Sequence, residues 1–116
     1  MNLKMFGAIL DRAGFTTVTA DTGEEALVMA RRTRPAVVLM DIGLPTMDGL
    51  ETTRRMKSDP ELALIPVIAV TAWASSEDRE RALSAGCADF LPKPVSMADL
   101  IGAVRRAAGG PTPGKP

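Results

Sequence analysis

The chain has 116 residues with 14 basic and 14 acidic side chains, so its formal net charge is zero, and it contains one cysteine and no histidine. This length predicts one domain that buries a core without disulfides, and a single cysteine could not form one within the chain. Zero net charge argues against a surface for duplex DNA or anionic membranes, and the lack of histidine excludes imidazole bases and histidine-based zinc sites. With no apolar run of about 20 residues and no signal-peptide pattern, we expect a cytoplasmic protein.

The spacing of apolar residues switches repeatedly between the helical and the strand period. In chain order it predicts a helix from Leu3 that stops at Gly14, a strand at 15–20, a helix capped by Thr22 that ends near Pro35, a strand at 36–41, a helix at 49–58, a strand at 66–71, a helix capped by Ser75 that ends at Gly86, a strand at 88–91 and a helix capped by Ser96 that runs to Ala108. This alternation predicts a doubly wound α/β domain over 1–108, with a parallel sheet, right-handed crossovers and helices on both faces. We expect the Gly/Pro tail at 109–116 to be disordered.

Three polar residues follow apolar strand residues in this pattern. Asp41 ends the run Ala36-Val37-Val38-Leu39-Met40, Thr71 ends the next strand, and Lys93 follows the last. Parallel strands end at one edge of a sheet, so these side chains are expected to converge there. A carboxylate can accept a phosphoryl group as a mixed anhydride, while an ammonium and a hydroxyl can bind its oxygens. Each residue alone also has an ordinary structural explanation, but the three together favour phosphoryl chemistry.

The chain resembles the receiver domains of bacterial two-component response regulators, in their small single-domain form. The resemblance runs from Asn2 to about Ala108 and rests on these motifs: Met40-Asp41-Ile42 with Leu44-Pro45 and Met47-Asp48-Gly49, then Val70-Thr71-Ala72, then Asp89-Phe90-Leu91-Pro92-Lys93-Pro94. It implies a flavodoxin-like receiver fold with the strand order 2-1-3-4-5. It also implies a role in phosphorelay signal transduction rather than classical enzyme activity, with at most self-phosphorylation and self-dephosphorylation.

The resemblance also implies a role for each matching residue. Asp41 corresponds to the phosphoacceptor, Thr71 and Phe90 to the switch residues, and Lys93 to the phosphate-binding lysine. Phe90 is equally well explained as a core aromatic residue. Asp41 and the backbone carbonyl of Gly43 correspond to metal ligands, and the turn residues of the site are Pro45, Asp48, Gly49 and Pro94. The Lys93–Pro94 bond is expected to be cis, as it usually is in the family.

One departure from the family is large. Receivers begin with an apolar strand that ends in an acidic pair, and this pair helps to hold Mg²⁺; here Asn2-Leu3-Lys4 already matches the following helix. Asp41 and one carbonyl make an incomplete site, so Mg²⁺ binding is expected to be weak or absent. Asp11 lies too far from the site to help, and Asp21 substitutes only if its strand moves inward.

The missing strand is normally internal, so we expect four strands or a rearranged or swapped sheet. Three explanations of the gap stay open. The two strand edges close on each other, or a second chain supplies a strand or helix and forms a homodimer, or the true start of the gene lies upstream of a misassigned or truncated chain. Exposure of the sheet would also favour self-association.

Three functions compete on these residues. The favoured one is a stand-alone phosphoacceptor that takes phosphate from a histidine kinase or a phosphotransfer protein and acts on a downstream protein through the face formed by 75–108. The second is a binding module that is deficient in phosphorylation. The third, a phosphatase or a flavin protein, ranks last, because a haloacid-type phosphatase needs an Asp where Gly43 stands and a flavodoxin needs a phosphate loop. We expect no nucleic-acid, membrane or output-domain function.

Overall fold

A computed structural model describes residues 3–12, 14–20, 22–42, 47–72 and 75–108 of the chain, without the side chains of 3–6, 9, 20, 41, 42 and 47–49. Asp21, Gly43, Pro45 and the tail at 109–116, for which the sequence made predictions, lie outside the described residues. Within this part of the chain no helix is long and apolar enough to cross a membrane.

Each helix and strand that the sequence predicts is present. The elements are α1 (Leu3–Arg12), β1 (Thr17–Ala20), α2 (Gly23–Thr33), β2 (Val37–Ile42), α3 (Met47–Ser58), β3 (Val67–Thr71), α4 (Ser76–Ala85), β4 (Asp89–Pro92) and α5 (Met97–Ala108). The predicted caps are confirmed by bonds in which a hydroxyl oxygen accepts from a backbone N–H three residues later, namely Thr22 from Glu25, Ser75 from Asp78 and Ser96 from Asp99. Gly86 ends α4 at a φ of 111°, a left-handed conformation that glycine adopts without strain.

Two predicted boundaries were wrong. Helix α3 begins at Met47, so Asp48 and Gly49, predicted as turn residues, lie in its first turn. Strand β1 begins at Thr17 rather than at Phe15, because the Phe15 N–H donates to the carbonyl of Leu10 (2.9 Å) and closes the end of α1. The Phe15 side chain is buried in the core, with 2% of the residue exposed. The apolar residue at this position therefore reflects core packing and not pairing in the sheet.

The four described strands form one parallel sheet in the order β1-β2-β3-β4. Strand β1 pairs directly with β2, from Thr17 opposite Val37 to Ala20 opposite Met40. Of the arrangements that the sequence left open, the described sheet therefore has the one in which the two edges close on each other. Pairing satisfies backbone N–H and C=O groups that a gap would leave without partners.

Two apolar layers cover the sheet. Val38 and Met40 of β2 pack with α2, α3 and α4 on one face, and Val37 and Leu39 pack with α1 and α5 on the other. Alternate residues of a strand point to opposite faces, so the continuous apolar run of β2 serves both layers. The predicted doubly wound α/β fold is confirmed, and it leaves the carboxyl ends of the strands at one edge.

Candidate functional site

The backbone brings the carboxyl ends of three neighbouring strands to one edge of the sheet. Asp41 lies opposite Val70, and the next pair in the register is Ile42 opposite Thr71. Thr71 in turn lies opposite Pro92, the residue before Lys93. Adjacent strands are about 4.8 Å apart, so the backbones of Asp41, Thr71 and Lys93 share one small region. The side chain of Asp41 is outside the described atoms.

Thr71 links the two strands on its sides. It is 1% exposed and ends a strand whose five residues are all buried, and it is one of three buried polar residues in the described part of the chain. Its carbonyl accepts a hydrogen bond from the Lys93 N–H at 2.8 Å. This bond attaches the backbone of Lys93 to the end of β3, so a shift of Thr71 would also move Lys93.

Lys93 is half-buried, and its peptide bond to Pro94 is cis, as the resemblance implied. Pro94 itself is exposed, and Val95 after it is buried in the layer formed with α5. The segment after β4 is therefore anchored in the core just beyond the lysine. A lysine at this place can present its ammonium to an anion at the sheet edge.

Phe90 lies in β4, opposite Ala69, and is 5% exposed. Its ring belongs to the apolar layer of α2, α3 and α4. The neighbouring Asp89 accepts from the Phe90 N–H at 2.8 Å through one carboxylate oxygen and from Arg106 of α5 at 3.2 Å through the other. In the structure Phe90 is a buried core aromatic residue, and its role as a switch stays a prediction.

The described residues hold no group of three histidine, cysteine, aspartate or glutamate side chains suited to a metal ion. The first turn of α1, the helix that begins the described chain, has no acidic residue. Asp11 is exposed in the last turn of α1, next to the amino end of β1, so it lies at the edge of the sheet opposite to Asp41. A metal site would therefore depend on Asp41, on the Gly43 carbonyl and on Asp21, whose ligand atoms are not among those described.

Lys57 has a structural function that the sequence gave no means of finding. Its ammonium donates to the carbonyls of Ala63 (3.1 Å) and Ile65 (2.8 Å), and burial lowers its pKa. Its stem lies so close to Gly86 that a Cβ added there would be 2.7 Å from the Lys57 Cγ. Backbone carbonyls carry no side-chain identity, so no spacing of residue types predicts this contact.

Comparison with known proteins decides the family. The family model of the response regulator receiver domain matches residues 1–105 of the sequence. The chain belongs to the response regulator receiver family. The polar-differentiation response regulator DivK of Brucella anthropi is 42% identical over 109 residues, which cover 94% of this chain and 89% of that protein, and DivK of Brucella ovis is 41% identical with the same coverage.

Solved receivers have the same fold. The receiver domain of sensor histidine kinase PA1611 from Pseudomonas aeruginosa, described with a magnesium ion coordinated in its active-site cleft, superposes with a TM-score of 0.75 at 35% identity, covering 94% of this chain and 89% of that one. Chemotaxis protein CheY4 of Vibrio cholerae superposes with a TM-score of 0.76 at 27% identity, covering 90% and 87%. This DivK-like receiver is thus a signalling protein of two-component systems and not a classical enzyme.

Proposed function

We propose that this receiver accepts a phosphoryl group on Asp41 from a histidine kinase or a phosphotransfer protein and signals through protein contacts. The observation that carries the proposal is the register of β2, β3 and β4, which aligns the backbones of Asp41, Thr71 and Lys93 at one edge of the sheet. In the part of the chain that the structure describes, no other acidic residue lies at the carboxyl end of a strand whose neighbours lead to a hydroxyl and an ammonium.

The proposed step is a transfer between two side chains. A carboxylate oxygen of Asp41 attacks the phosphorus of a phosphohistidine on the donor; the new P–O bond forms while the P–N bond breaks, and the imidazole leaves with the electron pair and takes a proton from solvent. The product is an acyl phosphate that carries more negative charge than the carboxylate did. Lys93 balances this charge, and the Thr71 hydroxyl donates to a phosphate oxygen.

The same contacts connect phosphorylation to the surface. Thr71 lies opposite Pro92, two residues after Phe90 in β4, and the Thr71 carbonyl binds the Lys93 N–H. A shift of Thr71 toward phosphate would therefore change the end of β4 and the packing of Phe90. The partner surface would be the face of 75–108, which contains α4, β4 and α5. The partners are a kinase or phosphotransfer protein and a downstream protein, all in the cytoplasm.

The incomplete Mg²⁺ site supports a second function. In this family Mg²⁺ supplies positive charge that stabilises the transferring phosphoryl group. The first turn of α1 contains no acidic residue that could bind the ion. This favours the alternative of a receiver-like binding module that is phosphorylated poorly.

The test of the phosphoacceptor is intact-mass measurement after incubation with a small acyl phosphate. The native chain should gain one phosphoryl group and Asp41→Asn none, whereas Asp11→Asn, which removes an exposed carboxylate at the opposite edge, should label as the native chain does. Undiminished labelling of Asp41→Asn would refute the assignment, and absence of labelling in all three proteins would favour the binding module.

A further inference from the structure

Leu64 is a large apolar side chain that the fold holds in water. It lies in the loop of residues 59–66 between α3 and β3, at the amino edge of the sheet, and is 93% exposed, whereas Leu62 in the same loop is fully buried. Exposed single leucines are common on protein surfaces and need no explanation by themselves. Leu64 differs because the loop around it is fixed on several sides.

Hydrogen bonds fix the loop from within and from α3. The N–H groups of Leu62 and Ala63 donate to the Asp59 carbonyl at 2.9 and 2.8 Å, and the Ile65 N–H donates to the Leu62 carbonyl at 3.0 Å. The ammonium of Lys57 binds the carbonyls of Ala63 and Ile65, the two residues that flank Leu64. Because both flanking residues are bound, the loop cannot turn Leu64 inward without breaking these bonds.

Two ion pairs fix the loop to α2. Arg31 binds Asp59 at 3.2 Å, and Arg34 binds Glu61 at 3.4 Å. Such exposed pairs add little to stability, but they place both signs of charge beside the apolar tip. The side chains of Arg34 and Glu61 are 58% and 65% exposed, so they can also interact outward.

A shallow depression of about 350 Å³ adjoins the loop at Asp59 and has room for a leucine side chain. Its other lining residues, Glu51, Arg54, Arg55 and Ser58, belong to α3. Arg54 and Arg55 both pair with Glu51, at 3.6 and 3.4 Å, and arginine stems offer methylene groups to an apolar guest. The surface thus has an apolar projection and a recess side by side.

A surface with a projection, a recess and charges of both signs is suited to an identical surface related by a two-fold axis. The net charge of zero leaves two copies without overall repulsion. We propose that this surface is a contact between two copies of the chain, in which Leu64 of each copy enters the depression beside α3 of the other. The contact lies at the sheet edge opposite to Asp41, so it goes beyond the proposed phosphoacceptor function and leaves that site accessible.

The test is sedimentation velocity of the full chain over a range of concentrations. We expect a monomer–dimer equilibrium whose dissociation constant rises at least tenfold in Leu64→Asp, because a charge replaces the buried anchor twice per dimer. The matched control is Leu83→Asp on α4, which changes another exposed leucine (41% exposed) and should leave the equilibrium unchanged. Circular dichroism establishes that both variants are folded.

A second pair of variants tests the ionic part. Arg34→Glu alone should weaken the dimer, and the double variant Arg34→Glu with Glu61→Arg should restore it, because exchange of the two charges keeps the pattern self-complementary. A native chain that stays monomeric at all concentrations overturns the proposal. So does a dimer that Leu64→Asp leaves intact, which would instead indicate association through the sheet, and so does equal weakening by Leu83→Asp.

Discussion

The single cysteine of the chain shows how burial decides the chemistry of one residue. In the structure Cys87 is buried, with 6% of the residue exposed. Burial raises the pKa of Cys87, an effect that the Thr53 hydroxyl, 3.8 Å from the sulfur, and the charge of Lys57 only partly oppose. A thiol that stays protonated inside the apolar layer is a poor nucleophile.

The raised pKa of Cys87 leads to a prediction about stability and pH. In the unfolded chain the thiol ionises near its ordinary pKa of about 8.5, so above this pH the folded state binds more protons than the unfolded state. Stability should therefore be complete below about pH 8 and fall as pH rises, by at most about 1.4 kcal/mol per pH unit. The lowered pKa of Lys57 acts in the opposite direction at higher pH, so the comparison must isolate the thiol.

Urea unfolding of the native chain and of Cys87→Ala between pH 7 and pH 10 provides this comparison. The difference in unfolding free energy between the two proteins should shift in favour of Cys87→Ala as pH rises. A difference that stays constant over this range would show that the thiol ionises equally in both states.

At the scale of elements, local sequence signals were enough to predict the helix caps, whereas the contact between α3 and the loop that follows it could not be predicted. The caps at Thr22, Ser75 and Ser96 were predictable because a cap and its helix are adjacent in sequence. The start of α3 was misplaced because Asp-Gly is as typical of a turn as an acidic residue is of a first helical turn. The attachment of the 59–66 loop to Lys57 had no sequence signal at all.

The hydrogen bonds of Lys57 predict a measurable loss of stability in Lys57→Met. This change keeps an apolar stem but leaves the carbonyls of Ala63 and Ile65 without their charged donor, which should cost about 1.5–3 kcal/mol. Urea unfolding measures the loss, and hydrogen exchange should show faster exchange at Leu62, Ala63 and Ile65. Arg55→Met on the same helix, which removes only an exposed ion pair, should cost about 0.5 kcal/mol or less. Equal losses in the two variants would contradict the role given to Lys57.

At the scale of the whole molecule, the fold class followed from the alternation of elements, but the neighbour of β1 did not. Nothing in the residues of Thr17–Ala20 distinguishes pairing with β2 from pairing with a strand between them, because both give the same apolar pattern. The convergence of Asp41, Thr71 and Lys93 was predictable for a simpler reason: in a parallel sheet every strand ends at the same edge, whatever the order of the strands. Ligand atoms for a metal depend on side chains and loops, which such a pattern does not position.

The strand order also bears on the last prediction, which concerns Mg²⁺. A site with one carboxylate and one carbonyl compensates little of the dehydration of this ion, so Mg²⁺ should bind weakly and Asp41 should label slowly. Metal stabilisation of phosphoryl transfer is commonly worth several kcal/mol, so labelling at equal Mg²⁺ should be at least about a hundredfold slower than in the PA1611 receiver domain, which is described with magnesium in its cleft.

The measurement is the rate of labelling by an acyl phosphate during titration with Mg²⁺ and EDTA. Ala20 pairs directly with Met40, and Asp21 follows Ala20 in the chain. The experiment therefore includes Asp21→Asn, with Asp11→Asn as its control. Fast labelling that EDTA and Asp21→Asn both abolish, and that Asp11→Asn leaves unchanged, would show that the chain has a metal site of its own and that its expected metal deficiency is wrong.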